Sequence, residues 1–326
     1  MRAAIVHRYG PPEHVTIAEL PRPEIQAGQI LVRVAAAAVT AGDARIRGAR
    51  FPHGFGALAR LALGFRAPRR RVLGVAFSGV VEEADRSSRF APGTAVSGMT
   101  GARMGAHAEF VAVTADRVAE KPANVTHEDA AGALFGGATA LHFLRDRAAV
   151  QEGQRVLVNG ASGSVGSAAV QLARECGAHV TAVTSAPNLA LATRLGADET
   201  IDYGRTSLDD LAAAIISAPD RAYDVVFDAV GNVSRALGLR LLRPHGALIL
   251  AVASLGTTVS ARGNVHAGTA PERAADFALL LRLVARGAFD PLTTPFGGLE
   301  ALPDAYRLID SGHKVGNLVV QPSATA

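Results

Sequence analysis

The chain contains a single cysteine, Cys176, among its 326 residues. An intramolecular disulfide is therefore impossible, and a zinc lobe held by several cysteines is excluded. Cys176 ends a helical pattern over residues 171–176, where we expect a small, buried side chain. No secretory leader is visible, because Met1 to Val6 run directly into a polar segment. We therefore expect a cytoplasmic protein.

Lysine is nearly absent. Lys121 and Lys314 are the two lysines among 33 basic residues, and the rest are arginine. The sequence pI is about 9.7, but the net charge is only +4 and the one dense basic run is Arg69-Arg70-Arg71. A nucleic-acid-binding protein also needs a recognition motif or interleaved aromatic residues, and the sequence has neither. We expect no nucleic-acid partner.

No uninterrupted apolar stretch approaches the length that spans a membrane. Hydrophobic residues make up 49% of the chain and charged residues 19%, which is typical of a globular protein. The length suffices for two domains with cores of their own. We therefore expect no membrane partner.

Clusters of catalytic or metal-binding side chains are also lacking. The ten histidines are scattered, and no pair has ligand spacing with a cysteine or a carboxylate. No nucleophile elbow precedes a helix, and adjacent carboxylates such as Asp209 and Asp210 are expected to be solvated. This inventory favours hydride transfer, in which a cofactor supplies the reactive group and the protein supplies position and electrostatics.

The most informative stretch that is present spans residues 155–169, RVLVNGASGSVGSAA. An apolar run typical of a buried parallel strand is followed by glycines spaced three apart and by a helical pattern. A strand, a glycine turn and a helix start form a phosphate site, because the backbone is accessible and the helix end attracts anions. The candidate phosphate-binding residues are Gly160, Ser162, Gly163, Ser164, Val165 and Gly166.

The chain changes character near residue 125. Residues 1–125 show short strands punctuated by proline and glycine, with no persistent helical period apart from hints near residues 57–63. Residues 126–265 alternate strands and helices, which predicts a doubly wound parallel sheet that binds ligands at the carboxyl ends of its strands. The predicted fold class is α/β, a Rossmann domain plus a β-rich barrel-like domain that residues 266–326 complete.

Several element boundaries are predicted within this outline. A strand is expected over residues 30–34, and two helices are expected on either side of Gly136-Gly137-Ala138-Thr139. That glycine pair either lets helices pack closely or lets Thr139 face a ligand. The last Rossmann strand is expected over residues 247–253, followed by a polar connection to Pro271.

Residues 48–71 stand apart because they combine Phe51, Phe55 and Phe65 with glycines and arginines. One interpretation is a surface loop with a tucked aromatic edge. The other is a substrate lid, since long loops hinged by glycine often cover sites. The sequence leaves both open.

The end of the second Rossmann strand distinguishes NAD from NADP, because NAD sites place a carboxylate there. This sequence reads Thr184-Ser185-Ala186-Pro187-Asn188, without an acid. Hydroxyl and amide donors suit a 2′-phosphate, and Tyr203 and Arg205 follow the next strand. The sequence therefore favours NADP(H), although Ser185 and Asn188 are also able to cap the following helix.

Taken together, the motifs resemble those of the zinc-independent branch of the medium-chain dehydrogenase/reductase superfamily, the quinone oxidoreductase or zeta-crystallin-like enzymes. The matching stretches are YGPP at 9–12, VTAGD at 39–43, FAPG at 90–93, GAHAEF at 105–110, KPAN at 121–124, FGGATAL at 135–141, residues 155–173 and LGAD at 195–198. The resemblance implies a GroES-like (chaperonin-10-like) domain over residues 1–125, a Rossmann domain over residues 126–265, an active site in their cleft and a homodimer.

The resemblance also bears on metal. Zinc-dependent members carry a cysteine ligand near position 40 and a Gly-His-Glu motif, where this chain has Thr40 and Gly74-Val75-Ala76. We therefore expect no metal. Ala76 also replaces an acid that many members have.

In the nicotinamide pocket, the resemblance implies roles for Thr40, Thr139 and the strand ends Ala229-Val230 and Ala253-Ser254. Gly316 and Asn317 match a Gly-Lys cofactor contact, with asparagine replacing lysine.

These observations lead to one hypothesis and two rivals. The hypothesis is an NADPH-dependent oxidoreductase that transfers hydride to a quinone or an α,β-unsaturated carbonyl, with Thr40 or Thr139 stabilising the developing oxyanion. Water or His53 would complete protonation. The rivals are an enoyl reductase of a biosynthetic pathway and a non-catalytic NADPH-binding sensor.

Overall fold

The computed structural model describes residues 1–323, in which fifteen strands and ten α-helices follow one another. The strands are β1 (Arg2–Val6), β2 (Val15–Glu19), β3 (Gln29–Val39), β4 (Ala76–Ala84), β5 (Ala95–Met99), β6 (Phe110–Thr114), β7 (Val118–Glu120), β8 (Arg155–Asn159), β9 (His179–Thr184), β10 (Glu199–Asp202), β11 (Tyr223–Asp228), β12 (Leu242–Leu250), β13 (Val265–Ala267), β14 (Thr293–Pro295) and β15 (Asn317–Val320). The helices are α1 (Ala41–Gly48), α2 (Gly56–Leu63), α3 (His127–Leu141), α4 (Ser164–Glu175), α5 (Leu189–Arg194), α6 (Leu208–Ser217), α7 (Arg235–Leu241), α8 (Leu255–Ser260), α9 (Ala274–Ala285) and α10 (Leu302–Asp310).

The chain divides into two compact units. The first consists of Met1–Phe51, Phe55–Phe135 and the residues from Glu272 onward. The second consists of Gly136–Pro271 together with the short segment Pro52–Gly54. The predicted boundaries of the GroES-like domain, 1–125, and of the Rossmann domain, 126–265, stay a prediction.

The first unit is built around β3. This strand pairs antiparallel with β4 along one edge and with β6 and β15 along the other, in a sheet ordered β14-β15-β3-β4-β5-β7. The predicted strand over residues 30–34 was too short, since β3 continues to Val39 through a run of alanines with weak strand propensity. Partners on both edges hold that run extended, and buried Val32, Phe77 and Tyr306 share the core of this unit.

Helix α1 was missed by the sequence analysis. Thr40 is its N-cap, and the Asp43 backbone N–H donates to the Thr40 hydroxyl while the Asp43 carboxylate accepts from the Thr40 backbone N–H. This reciprocal capping box starts a helix of eight residues in a region otherwise made of strands.

The second unit confirms the predicted doubly wound sheet. Its six strands have the order β10-β9-β8-β11-β12-β13, and every pairing is parallel. The chain runs from β8 to one side through β9 and β10 and then returns to the other side at β11. Strand β8 therefore lies at the topological switch point, where the carboxyl ends of neighbouring strands leave room for a ligand.

Three predicted boundaries in this part of the chain were wrong. Helix α3 continues through Gly136 instead of breaking there, and one π-helical turn over His142–Arg147 follows it. Strand β12 ends at Leu250, three residues before the predicted end. The predicted polar connection contains α8 and the edge strand β13, so β12 is not the last strand.

Cys176 was expected to be buried, but it is exposed. It is the C-cap of α4, one residue beyond the helix, where the chain turns outward at Gly177. Partial desolvation nevertheless raises the pKa of its thiol.

Candidate dinucleotide-binding site

Of the three glycines at the junction of β8 and α4, Gly160 and Gly166 are required by the packing of the protein itself. Gly160 has φ +85°, and a Cβ there would lie 2.6 Å from Cγ2 of Val230. A Cβ on Gly166 would lie 2.0 Å from the carbonyl oxygen of Gly160, so the helix packs directly against the turn. Any side chain at either position would displace backbone or strain it.

Gly163 differs from its neighbours. Its φ is −79°, which any residue adopts, and the nearest atom to a Cβ placed there would be the Gly160 carbonyl oxygen at 3.6 Å. Gly163 is also the N-cap of α4, and no side chain caps this helix. The open space and the uncapped helix start form a cradle that an anion such as a pyrophosphate fits.

The glycine turn is fixed to the end of β9. The backbone N–H groups of Gly160 and Ala161 both donate to the Val183 carbonyl at 3.0 Å. The Thr184 hydroxyl donates to the Ser162 hydroxyl, also at 3.0 Å. The predicted phosphate turn and the predicted ribose end of the site therefore form one hydrogen-bonded structure.

The residues after β9 do not cap the following helix through their side chains. The Asn188 amide donates to the Ser185 hydroxyl at 3.0 Å, and neither side chain makes a capping bond. Ser185 and Asn188 do occupy the N-cap positions of the turn Ala186–Asn188 and of α5, but the interpretation that their side chains cap the helix is wrong. Both remain half-buried polar groups at the carboxyl edge of the sheet.

Tyr203 and Arg205 lie at the same edge. Asp202, the last residue of β10, pairs with Thr184, and the Tyr203 backbone N–H donates to the Thr184 carbonyl at 3.1 Å. Arg205 is exposed, and its guanidinium has no partner within residues 1–323. The nearby carboxylate of Asp202 accepts from the Gly204 backbone N–H at 2.9 Å. The edge thus presents one free cation beside hydroxyl and amide donors.

Asp228 and Asn159, which the sequence analysis did not select, fix the backbone at the end of β11. Asp228 is fully buried, and its carboxylate accepts backbone N–H groups of Val230, Gly231 and Val233. It also accepts from the Asn159 amide at 2.9 Å, which joins the ends of β8 and β11. Each of these two residues is the polar last residue of an otherwise apolar strand, and this pattern in the sequence could have identified them.

This network holds the predicted pair Ala229 and Val230 in place. Val230 lies two residues beyond the end of β11, and 48% of its surface is exposed despite its apolar side chain. An exposed valine held at a ligand-binding strand end suits contact with a planar ring.

The second predicted strand end was placed wrongly. Ala253 and Ser254 lie in the loop beyond β12, because β12 ends at Leu250. Ser254 caps α8 by accepting the Thr257 backbone N–H at 3.1 Å. The Leu255 backbone N–H donates to the His53 carbonyl at 2.9 Å, so the backbone of His53 is held beside this loop while its residue surface stays exposed.

Helix α3 touches the start of α4 within the second unit. A Cβ on Gly136 would lie 2.3 Å from the Ser164 carbonyl oxygen, so Gly136 permits a close helix contact. The close-packing interpretation of this glycine is therefore right. Thr139 is one turn further on, on the same face of α3. Its side chain is half-buried.

In the first unit, Thr40 is buried and its hydroxyl is fully engaged. It donates to the Asp43 carboxylate at 2.6 Å and accepts the Asp43 backbone N–H at 3.1 Å. The Asp43 carboxylate also accepts the Gly74 backbone N–H at 3.0 Å. The hydroxyl proton of Thr40 therefore points at Asp43 in this structure.

The C-terminal candidates belong to the same unit. Gly316 has φ +58° and precedes β15, while the buried Asn317 amide donates to the Pro291 carbonyl at 2.6 Å. Lys314 donates to the Gly316 carbonyl, and desolvation lowers the pKa of Lys314 to about 8. The resemblance places a lysine at position 317, whereas the lysine of this segment, Lys314, lies three positions earlier.

Nothing in the described part of the chain gathers three or more histidine, cysteine or carboxylate side chains into a metal-binding cluster. Val75 and Ala76 stand where the resemblance places the histidine and glutamate of the Gly-His-Glu motif of zinc-dependent members. Ala76 is fully buried at the start of β4. These side chains offer no ligand atoms.

Family models match both parts of the chain. Residues 26–123 match the alcohol dehydrogenase GroES-like domain, and residues 164–266 match the domain described as zinc-binding dehydrogenase. Together with the glycine turn at the switch point of a parallel sheet, these matches define a dehydrogenase of the alcohol dehydrogenase type.

Individual relatives indicate the branch of this class to which the chain belongs. The chain is 30% identical over 319 residues to the chloroplastic NADPH-dependent alkenal/one oxidoreductase of Arabidopsis thaliana, covering 92% of this chain and 74% of that one. It is 27% identical to the 2-methylene-furan-3-one reductase of Solanum lycopersicum, covering 92% and 73%. The solved quinone oxidoreductase of Coxiella burnetii superposes with a TM-score of 0.85 at 25% identity, covering 98% and 99%. The chain therefore belongs to the quinone oxidoreductase (zeta-crystallin)-like family of the medium-chain dehydrogenase/reductase superfamily.

Proposed function

We propose that the protein is an NADPH-dependent oxidoreductase that reduces α,β-unsaturated carbonyl compounds or quinones. The observation that carries this proposal is the open cradle at Gly163, where α4 begins without a side-chain cap. The names of the relatives, an alkenal/one oxidoreductase, a furanone reductase and a quinone oxidoreductase, support the same acceptor class.

The residues beside the cradle fit the phosphates of NADPH. Gly160, Ser162, Gly163, Ser164, Val165 and Gly166 would hold the pyrophosphate through backbone N–H groups and the helix dipole. Thr184, Ser185, Asn188, Tyr203 and Arg205 would surround the ribose, with the free guanidinium of Arg205 facing the 2′-phosphate. No carboxylate occurs from Thr184 to Asn188 to repel that phosphate.

The nicotinamide would be bounded by Ala229, Val230, Ala253 and Ser254. In the first unit, Gly316 and Asn317 stay candidate cofactor-binding residues on the family resemblance. Asp228 and Asn159 hold the loop after β11 in one arrangement, so they act as positioning residues. When bound, NADPH supplies a hydride from C4 of its nicotinamide ring.

Side chains of this protein would stabilise the negative charge that develops on the acceptor oxygen. As hydride reaches the electrophilic carbon, an electron pair moves onto that oxygen, and a hydroxyl donor stabilises it. Thr139 suits this role because it shares a helix face with Gly136, which contacts the start of α4. Thr40 would first have to release Asp43. His53 or water would then deliver a proton.

We further propose that the reaction proceeds without a metal ion. Thr40, Val75 and Ala76 occupy the positions where zinc-dependent members hold zinc, and two of these three side chains carry no heteroatom. Electrophilic help for the acceptor would therefore come from hydroxyl groups. Full activity after dialysis against a chelator is the expected result, and loss that added zinc restores would contradict it.

The proposed activity is tested by stopped-flow measurement of NADPH oxidation with a panel of quinones, enones and enoyl thioesters. Rapid oxidation with quinones or enones supports the proposal. Turnover confined to enoyl thioesters would indicate an enoyl reductase, and tight NADPH binding without turnover of any acceptor would indicate a sensor. Either result would overturn the proposal.

We propose that the chain forms a homodimer. Strand β13 is the open edge of the six-stranded sheet, and its unpaired backbone groups are suited to pairing with a second copy. Light scattering coupled to size-exclusion chromatography measures the mass directly, and a monomer at micromolar concentration would contradict the proposal.

We also propose a cytoplasmic location. The single cysteine suits a reducing compartment, and no helix in residues 1–323 is long and apolar enough to cross a bilayer. Fractionation of cells that produce the full natural chain tests this, and recovery from an organelle or an exported fraction would contradict it.

A further inference from the structure

One stretch of the first unit is unlike the rest of the chain in charge. Between Asp43 and Glu82 the sequence contains eight arginines and no aspartate or glutamate. The net charge of the whole chain is only +4, so positive charge is concentrated here. The stretch includes α2 and the turn after it, and no residue of α2 is buried.

This stretch is a fixed structure with defined anchors. The Tyr9 hydroxyl donates to the Gly64 carbonyl at 2.8 Å, and the Tyr9 backbone N–H donates to the Arg66 carbonyl at 3.3 Å. Arg60 donates to the Phe65 carbonyl at 2.9 Å, and its guanidinium lies over the Tyr9 ring. A Cβ on Gly64 would lie 2.2 Å from the Ala67 carbonyl oxygen, so the turn requires glycine.

The anchored segment exposes large apolar side chains. Leu58 and Leu61, one turn apart on α2, are 53% and 59% exposed, and Phe65 in the following turn is 64% exposed. Leu63 faces the opposite way and packs against the core of the first unit. The interpretation of residues 48–71 as a loop with a tucked aromatic edge therefore holds for half-buried Phe51 and Phe55 and fails for Phe65.

Arginines follow these apolar side chains along the chain, and the Arg69 backbone N–H donates to the Leu63 carbonyl at 2.6 Å. Arg66, Arg69, Arg70 and Arg71 are exposed, and none has an ion-pair partner among residues 1–323. The neighbouring carboxylate of Asp310 is already bound to other arginines of the stretch, with Arg47 at 2.5 Å. We refer to Leu58, Leu61, Phe65, Arg66, Arg69, Arg70 and Arg71 as the basic apolar surface.

We propose that the basic apolar surface binds the face of an anionic lipid bilayer. Leucine and phenylalanine side chains at such an interface insert among the acyl chains, while the guanidinium groups bind lipid phosphates. Helix α2 has eight residues and is far too short to cross the membrane, so it would lie in the plane of the interface. The protein would associate reversibly from one side.

Charge and shape favour a lipid surface over two other occupants. A nucleic acid would pair with the arginines but would leave Leu58 and Leu61 in contact with water, since stacking uses aromatic rings. A second copy of this surface, related by a two-fold axis, would place arginines against arginines. An anionic bilayer satisfies the charged and the apolar groups together.

This inference revises the sequence-based expectation that no membrane partner exists. That expectation excluded a spanning segment, whereas surface binding needs only an amphipathic patch. None of the seven residues belongs to the proposed dinucleotide site, so a loss of vesicle binding is distinguishable from a loss of NADPH binding. Association would place the protein where lipid-soluble acceptors dissolve.

Vesicle flotation of the purified full chain tests the proposal. We expect the protein to float with vesicles of phosphatidylcholine and phosphatidylglycerol at low salt, and to remain unbound with phosphatidylcholine alone or at high salt. Each arginine near an anionic surface is worth about fivefold in partition. Replacing Arg66, Arg69, Arg70 and Arg71 together by glutamine removes four such contributions, which multiply to about six hundredfold, so binding should fall by at least about a hundredfold.

A matched variant controls for net charge. Arg86, Arg103, Arg221 and Arg262 are also exposed, so replacing these four by glutamine removes the same charge elsewhere and should preserve flotation. A second variant, Leu58→Gln with Leu61→Gln and Phe65→Gln, should lose flotation while keeping its arginines. Circular dichroism and thermal melting verify that each variant folds.

Three results would overturn the proposal. One is absence of flotation with anionic vesicles at low salt. Another is an equal loss of vesicle binding in the control variant. The third is that the protein binds heparin as well as vesicles and that the replacements of Leu58, Leu61 and Phe65 leave both unchanged, because this would indicate a surface that binds any polyanion. If the arginine replacements instead change the mass in solution, the surface is an interface between copies.

Discussion

The hydroxyl proton of Thr40 is held by Asp43, with 2.6 Å between Oγ1 and the carboxylate oxygen Oδ2. The same carboxylate accepts the backbone N–H of Thr40 at 2.9 Å, and the pair forms the capping box that begins α1. A threonine has one hydroxyl proton, so capping and donation to a substrate oxygen compete for it.

This competition predicts a mainly structural role for Thr40. We expect Thr40→Ala to lower the free energy of unfolding by about 1–2 kcal/mol through loss of the cap. Thr40→Ser should restore most of that loss. Because the proton is already engaged, kcat of Thr40→Ala should fall by less than about tenfold, whereas removing a true oxyanion donor costs a hundredfold or more. Urea denaturation and steady-state kinetics measure the two effects, and a hundredfold loss of kcat at unchanged KM would assign Thr40 to the chemistry.

The glycines of the phosphate turn predict opposite effects on stability and binding. Gly163→Ala should fold normally, because its φ is −79° and its Cβ would meet nothing closer than 3.6 Å. It should nevertheless weaken NADPH binding by about tenfold or more, since the methyl group would occupy the cradle of the pyrophosphate. Gly166→Ala is the matched comparison, and it should lose stability because its Cβ would lie 2.0 Å from the Gly160 carbonyl oxygen. Fluorescence titration and thermal melting separate the effects, and normal NADPH affinity in Gly163→Ala would locate the pyrophosphate elsewhere.

We expect the guanidinium of Arg205 to determine whether the site prefers NADPH or NADH. Arg205→Ala should raise KM for NADPH by about tenfold, corresponding to one charge-assisted hydrogen bond, and should leave KM for NADH nearly unchanged. Asp202→Asn is the informative partner variant, because its carboxylate is the acid at the same edge and faces the Gly204 backbone N–H. If Asp202→Asn impairs NADH use far more than NADPH use, the site binds ribose hydroxyls and the NADPH assignment is wrong.

Lys314 predicts a pH-dependent contribution to stability. Its pKa falls from 10.5 to about 8 on folding, because desolvation penalises the charged form. The unfolded chain therefore binds more protons between pH 8 and pH 10.5, and the free energy of unfolding should rise with pH across that window. Below pH 8 the buried charge costs about 2 kcal/mol, after allowance for partial exposure.

The test is Lys314→Met compared with the parent chain by denaturant unfolding at several pH values. The variant should be more stable at pH 7, and its advantage should shrink between pH 8 and pH 10.5. A constant difference across this range would show that the ammonium group is not desolvated in the folded protein. Lys121→Met provides a comparison at the other lysine, where desolvation also lowers the pKa.

Much of the second unit was predictable because its physical signals are local. Buried parallel strands appear as short apolar runs, and Gly160 and Gly166 mark a turn that no other residue fits. The strands and helices that were predicted to alternate over residues 126–265 are observed, and the strands of the resulting sheet all pair in parallel. Here, local sequence preference and tertiary environment agree.

Elsewhere the decisive interactions are distant in sequence. The alanine run at the end of β3 is extended because β4 and β15 flank it, and nothing in the run itself favours a strand. The bond between the His53 carbonyl and Leu255 joins residues about two hundred positions apart. The capping box at Thr40 was a local signal that was overlooked, whereas the exposure of Cys176 depends on where α4 ends against Gly177.

The pairing of β15 with β3 has a consequence for synthesis on the ribosome. The middle of the seven-stranded sheet requires residues 317–320, which are translated after every strand of the six-stranded sheet, since that sheet has all its strands once Ala267 has emerged. The nascent chain is thus able to complete the inserted nucleotide-binding fold while one edge of β3 near Val39 still has unpaired backbone groups. A chain truncated before Asn317 would leave that edge permanently without β15.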